Sequence, residues 1–510
     1  MMLVRRVLVM SQKNSAQEKS ALVLTAEKMS ACTGHPVKTG IVIGAKEHSA
    51  WAFPGEAAQT SSVEGCIEQL PEGCGGVKVE IFLATSSAGI SRGMETVFRV
   101  HLWQGGNADE IPQKEILHAD PVRAPLAASS CTPFRMQLES WYGTDPGRPF
   151  HFRLERCSGD PADTCPGEVD LLEVHVTPLE IPPAPRIVQD TPGYNSWPMI
   201  QAVGKKLVCA YCRGRGHDIG EECRGVYART SSDGGLSWTP ETLVSNQPGY
   251  GEVTIGKGLD AEGAMLLWVR CCGPVWHHDL YRSVDGISFQ RIATPELDPM
   301  PMQITDIFPL PEVGLMALWF AGNYQDDKLN AWGTLTSSDN GKTWTQNVIE
   351  SGLPKAEWPT EPAAVPLGNG RILVIARTES SENSTARAQF QIESRDAGKT
   401  WTRARTNIGD VSLSTPSLIL DPETGLLSNY YYHRGRGILK RRVTSPEQIV
   451  GNPLGWPDPE PVALASDVFL DAGNVNVTAL GSLHFAAYYS GKAPDTSIVV
   501  SAIPAPVPKN

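Results

Sequence analysis

No apolar run in this 510-residue chain approaches the roughly 18 residues that a membrane-crossing helix needs. The sequence therefore predicts no membrane span. Basic residues are in the minority, 44 Lys and Arg against 56 Asp and Glu, for a net charge of -12. That balance argues against a nucleic-acid binder, which would show a basic face. Metal-type spacing is also scarce. Cys209 and Cys212 make a Cys-x-x-Cys on an apolar strand, with no second ligand pair at metal spacing. His277 and His278 are adjacent, and neighbours on a strand point to opposite faces, so they chelate poorly. No metal and no cofactor are expected. The cysteines number 11, an odd total, six before residue 170 and five between 209 and 272. Reduced thiols are preferred, with Cys66/Cys74 and Cys157/Cys165 as the alternative bridges. The start, MMLVRRVLVM over Met1–Met10, makes a poor signal peptide because its apolar stretch is short and no small-residue cleavage site follows. A cytoplasmic, non-classically exported or virion-associated location is expected.

What is present is glycine (48) and proline (40), high for a helical protein and suited to many short strands joined by turns. Residues 1–180 carry β-rich runs, among them Val77–Leu83, Thr96–Trp103, Phe150–Glu155 and Val169–Val176, separated by turn residues. They predict an antiparallel, jelly-roll-like β-sandwich serving as a carbohydrate-binding or packing module. Pro178–Pro185 (PLEIPPAP) reads as a stiff linker.

One pattern then recurs: Ser, any residue, Asp, any residue, Gly, two residues, Trp. It occurs at Ser231–Trp238, Ser337–Trp344 and Ser394–Trp401, with a shortened copy at Ser283–Phe289. Asp233, Asp285, Asp339 and Asp396 fall 52, 54 and 57 residues apart, a period that marks a repeat architecture. Asp accepts from nearby backbone N–H groups, Gly permits the turn and the aromatic ring anchors it. These Asp residues are read as staples, not catalysts. From 186 to 503 six units share an apolar second strand, such as Met265–Val269 or Ile372–Ala376. Six units of this period predict a six-bladed β-propeller, so the fold class is all-β.

The Ser-x-Asp-x-Gly-x-x-Trp repeats resemble the Asp boxes of sialidases (neuraminidases), over roughly residues 186–503. The resemblance implies a catalytic six-bladed propeller that binds a substrate carboxylate with three Arg. It also implies a loop Asp as acid/base, a Tyr nucleophile and a supporting Glu. By that resemblance Asp218, in Arg215-Gly-His-Asp218, is the acid/base. Glu361, in Trp358-Pro-Thr-Glu361, is the supporting Glu, and Arg377 and Arg434 are members of the Arg set.

The residues point the same way without the family. The position just past the apolar run is Arg213, Arg270, Arg377 or Arg434 in four units, with Asn323 and Ser490 nearby in the other two. Four Arg at one level of a closed ring predict an anionic ligand. Acids recur early on the first strands, at Glu252, Asp306, Glu361 and Asp471, and Arg215 flanks the Asp218 loop. Trp197, Trp358 and Tyr194 are placed either to stack on a sugar or to pack the core. Two positions depart from the family pattern. Ser196 stands where an Arg is expected, and Asn474 where the Tyr is expected. Arg213 or Arg270 is the replacement for the Arg. A Tyr from 430–432, with Tyr431 central, or Asp471 acting on water, is the replacement for the nucleophile. The second would invert the anomeric centre.

The expected activity is exo-hydrolysis of a terminal sialic acid or related acidic nonulosonic sugar from a glycan or glycoconjugate. The alternative is a non-catalytic carbohydrate-binding propeller of the phage or surface-adhesin type. A homo-oligomer is compatible with either.

Overall fold

Strand after strand in this chain alternates apolar and polar side chains, and the alternation decides what each sheet buries. A computed structural model describes residues 21–508 apart from 34–35, 44–45, 56–59, 86–93, 106–115, 118–121, 126–132, 139–140, 143, 146, 162 and 381–385. Met1–Met10, read above as a poor signal peptide, lies outside the described residues. The chain divides into two compact units between Ile181 and Pro182, inside the Pro-rich segment.

The first unit is two antiparallel sheets, of seven and six strands. The strands Gly76–Ala84 and Val169–Leu179 pair at the centre of one; Glu95–Gln104 and Phe150–Arg156 pair in the other. Phe150, Phe152 and Leu154 alternate with half-exposed His151, Arg153 and Glu155. Both sheets turn their apolar faces to one core, where Phe98, Phe150 and Phe152 meet Val79, Ile81 and Val174. A buried ion pair closes the loop that follows: Arg156 donates to both Asp163 oxygens and to the carbonyls of Phe53, Cys165 and Gly167. The ten cysteines among the described residues are all free thiols, Cys66, Cys74, Cys157 and Cys165 included.

The second unit is built from antiparallel groups of strands. Their first strands are Tyr194–Val203, Gly251–Leu259, Gln303–Ile304 with Phe308–Leu310, Pro359–Gly368, Ser417–Leu420 and Gly473–Leu480. Each packs beside the next, and the last returns to the first. The early strand Arg186–Gln189 pairs with the final strand Asp495–Pro504, so the two ends of the unit share one eight-stranded sheet. Second strands such as Met265–Cys272, with every residue buried, are near-continuously apolar because both faces are covered by neighbouring sheets.

The repeated turns sit at one end of these sheets. Ser231 pairs across from Leu207, the start of its neighbouring strand, whereas Gly225 pairs with Arg213 at the other end. In each turn the Ser hydroxyl bonds the Asp. In the three full-length turns the Asp accepts the backbone N–H groups three and four residues on, as Asp339 does from Lys342 and Thr343 at 3.1 and 2.9 Å; in the shortened one Asp285 accepts those two and three residues on. The Trp344 and Trp401 indoles donate to the carbonyls of Gly341 and Gly398. These glycines hold φ of +89° and +81°, conformations that penalise a side chain.

Candidate active site

The end of the second unit opposite those turns holds a cavity of about 380 Å³. Three first strands enter it through the same distortion. Cross-strand register slips at Ser196/Met199, at Thr360/Ala363 and at Gly473/Asn476. The residue inside each slip is left-handed: Trp197 at φ 49°, Glu361 at 47° and Asn474 at 53°. A non-glycine residue there costs about 1–2 kcal/mol, so three bulges in register mark strain stored at one place. All three side chains line the cavity.

The second strands supply the cations. Arg270, Arg377 and Arg434 line the cavity together with Asp218, His217 and Tyr324. Arg377 lies between two carboxylates, 3.0 Å from Glu361 and 3.0 Å from Glu379. Burial alone would raise the Glu361 carboxyl. Arg377, helped by the Thr415 hydroxyl at 2.5 Å and by Arg434, outweighs burial and holds it below the ordinary carboxylate range. Glu361 is therefore an anion at neutral pH. Thr415 also reaches Asn474, bridging two of the three bulges. Arg270 lies 4.5 Å from the Trp276 ring centroid, a cation–π contact that fixes its guanidinium.

Asp218 is solvent-exposed at the mouth, its Oδ1 accepting the Gly220 N–H at 2.9 Å. Its loop is tied from below by Arg224, a residue the sequence reading did not single out. Arg224 is fully buried. It donates to Ser196 Oγ, to the Gly216 and Asp218 carbonyls and to Glu221, and lies 4.9 Å from the Trp197 ring centroid. It thus stands behind the Ser196 position. Nothing local in Cys223-Arg224-Gly225 signals that role; only the fold brings the strand start back under Trp197.

Several expected site residues lie elsewhere. Arg213 shares a strand face with Tyr211, and both bond Glu241, at 2.8 Å each; that face turns away from the cavity. Arg215 is exposed and 3.9 Å from Glu221. Trp358 is fully buried, packed on Phe320 and Tyr324 with its indole on the Ala331 carbonyl, so its role is packing. Tyr431 is fully buried in another core, its hydroxyl on Asp410 and Arg442. Asp471 sits behind the cavity wall, accepting from the Tyr194 hydroxyl at 3.1 Å and the Ala493 N–H at 2.9 Å. Tyr194 in turn holds His217 at 2.8 Å. Glu252 is buried against Ser245, and Asp306 pairs with Lys257 at 3.1 Å. The tyrosine that does line the cavity, Tyr324, lies just past Asn323 in the third unit.

No family model matches the chain, and no curated protein matches it in sequence. Solved structures similar to it include a protein of unknown function from Dyadobacter fermentans, at 18% identity over 63% of this chain and 100% of that one, TM-score 0.49. A point mutant of the NanB sialidase of Streptococcus pneumoniae is 11% identical over 88% and 99% of the two chains, TM-score 0.49. The phage phi92 endosialidase is 9% identical over 64% and 69%, TM-score 0.48. Likenesses this distant assign no function.

Proposed function

We propose that this protein is an exo-acting glycoside hydrolase that releases a terminal sialic acid, or a related acidic nonulosonic sugar, from glycans. Its second unit is a six-bladed β-propeller closed by the Arg186–Gln189 strand, and its first a β-sandwich that binds glycan or packs. One observation carries the reading: Arg270, Arg377 and Arg434 converge with Asp218 and Glu361 on one cavity of about 380 Å³. That volume suits a single sugar ring. Several guanidinium groups in one concavity select a carboxylate-bearing ligand.

In this reading the sugar carboxylate binds Arg270 and Arg434, with Arg377 shared with its two acids. Trp197 packs against the ring. Asp218, at the open mouth, protonates the leaving oxygen. Asn474 offers no nucleophilic hydroxyl, and Tyr324 is a poor substitute, because burial and then Glu379 push its phenol up from the ordinary value. Water is the nucleophile, Glu361 its base, and the product anomer is inverted.

Ser196 and Asn474 also favour a second reading, a carbohydrate-binding propeller that holds the acidic sugar without cleaving it. Hydrolysis of a fluorogenic sialoside separates the two, with Asp218→Asn and Arg377→Ala as controls. Turnover lost in both variants supports the enzyme. Sugar binding without turnover of any linkage leaves the binding module. NMR of the first-released anomer then decides inversion against retention.

A further inference from the structure

Away from the cavity lining, the second unit gathers a thiol, an imidazole and a carboxylate. Cys271 Sγ, His277 Nε2 and an Asp279 oxygen all lie within 4.8 Å of one another. The grouping follows from strand register: Cys271 pairs directly across from His277, and Asp279 is two residues further along the same strand, on the same face. The neighbour His278 points to the opposite face, so the pair that matters is Cys271 with His277, not the two adjacent histidines.

We propose that Cys271, His277 and Asp279 bind a zinc ion, which fastens the hairpin carrying Arg270 and Trp276. Three observations bear on this. The first is spacing. Zinc takes Cys, His and carboxylate ligands at about 2.0–2.3 Å in a tetrahedron, which sets ligand atoms about 3.3–3.8 Å apart. Asp279 Oδ2 stands 3.8 Å from Cys271 Sγ and 3.7 Å from His277 Nε2. The nitrogen–oxygen separation is too long for a good hydrogen bond, the sulfur–oxygen one is a weak thiol contact, and both are close to those a shared ion imposes.

The second is the imidazole tautomer. His277 Nδ1 lies 3.0 Å from the Val275 carbonyl, which can only accept, so Nδ1 carries the proton. The other ring nitrogen, Nε2, is the one turned toward the Asp279 oxygen and the Cys271 sulfur. A backbone carbonyl on the far nitrogen is also the usual support of a zinc-binding histidine.

The third is charge. Glu252 is fully buried, its Oε1 bonded to Ser245 at 2.7 Å and its Oε2 without a partner. Asp279, its Oδ2 3.3 Å from Arg291, is the second buried carboxylate here. Asp279 is otherwise held by Thr294 on Oδ1 and by Gln247, whose amide nitrogen is 2.8 Å from Oδ2 and 3.3 Å from Cys271 Sγ. Turning that amide over presents its oxygen as the fourth ligand. Binding displaces the Cys271 thiol proton to solvent, so affinity rises with pH.

Nothing in this inference rests on hydrolysis. The test uses the full chain, stripped with chelator and titrated with zinc alone. Expected are one zinc per chain, a raised melting temperature, and a cobalt-substituted protein with thiolate-to-cobalt absorption. His277→Ala, at a partly exposed position, weakens zinc binding at least tenfold. Cys271→Ser abolishes the cobalt–thiolate band. Zinc retained by His277→Ala at full stoichiometry places the ion elsewhere, for instance on exposed Cys32 or Cys223, and overturns the proposal. So does the absence of a cobalt–thiolate band in the unaltered chain, a readout that does not depend on either variant folding.

Discussion

The second unit uses carboxylates in two ways, at its two ends. In the repeated turns, Asp233, Asp339 and Asp396 are satisfied by N–H and hydroxyl groups within four residues. At the cavity, Glu361 is satisfied by Arg377 from the next strand and by Thr415, 54 residues away. The first arrangement is complete as soon as the local chain folds. The second exists only when separate sheets meet, and it leaves charged groups facing an open space. A carboxylate with all its partners local is a staple. A carboxylate whose partners are distant cations around a cavity is equipped for chemistry.

Variants at the two ends test that contrast. The largest effect is expected from Arg377→Ala, which leaves Glu361 and Glu379 buried together without their cation. Sialoside kcat/KM should fall by roughly 10³ or more, and stability by about 3–5 kcal/mol, read by steady-state kinetics and denaturant melts. A variant that keeps activity would show that the cavity is not the site. Next, Asp218→Asn should lower kcat by about 10²–10⁴ with an unchanged melt, and most for poor leaving groups.

Gly341→Ala, at the other end, should cost about 1–2 kcal/mol through its φ of +89°, with kcat/KM per folded molecule unchanged. Loss of catalysis in that variant would erase the distinction between the ends. Acid titration sharpens it further. Hydroxyl and backbone donors hold Asp339 and Asp396 down to about 2, from 3.8 in the free side chain. Because the folded value is depressed, their stabilisation is complete above about pH 3.8 and is lost as pH falls toward 2. Asp339→Asn should lower the melting temperature at pH 7 and flatten its fall over that window, so that variant and parent converge toward pH 2. The smallest effect is expected from Tyr324→Phe, within about threefold of the parent in kcat. Trapping of a covalent sugar on Tyr324 would instead make the enzyme retaining.

Much of the architecture was legible because its cause is local. Alternation placed the strands Glu95–Gln104 and Phe150–Arg156, and the Ser-x-Asp-x-Gly spacing placed the turns. The apolar second strands set a register in which Arg270, Arg377 and Arg434 end at one level, and those three do share the cavity. Arg213 occupies the same level in sequence and faces the other way, toward Glu241, because a strand position fixes a side only once its partners are known. Tyr431 and Asp471 lie off the cavity lining for a similar reason. Each is claimed by a buried partner, Arg442 or Tyr194, that no local pattern announces.

Sequence alone determined the strands, the stapled turns and their period, since hydrogen bonds and alternation over a few residues suffice for those. Tertiary structure decided which charges meet. It put Arg224 beneath Trp197, brought Glu361 and Asn474 into one strained rim through bulges in separate strands, and set His277 opposite Cys271. The first two pairings span tens to more than a hundred residues and depend on how strand register slips and how sheets close on one another; the third needs only the register of one hairpin. Their energies come from burial and long-range charge, which a linear pattern does not carry.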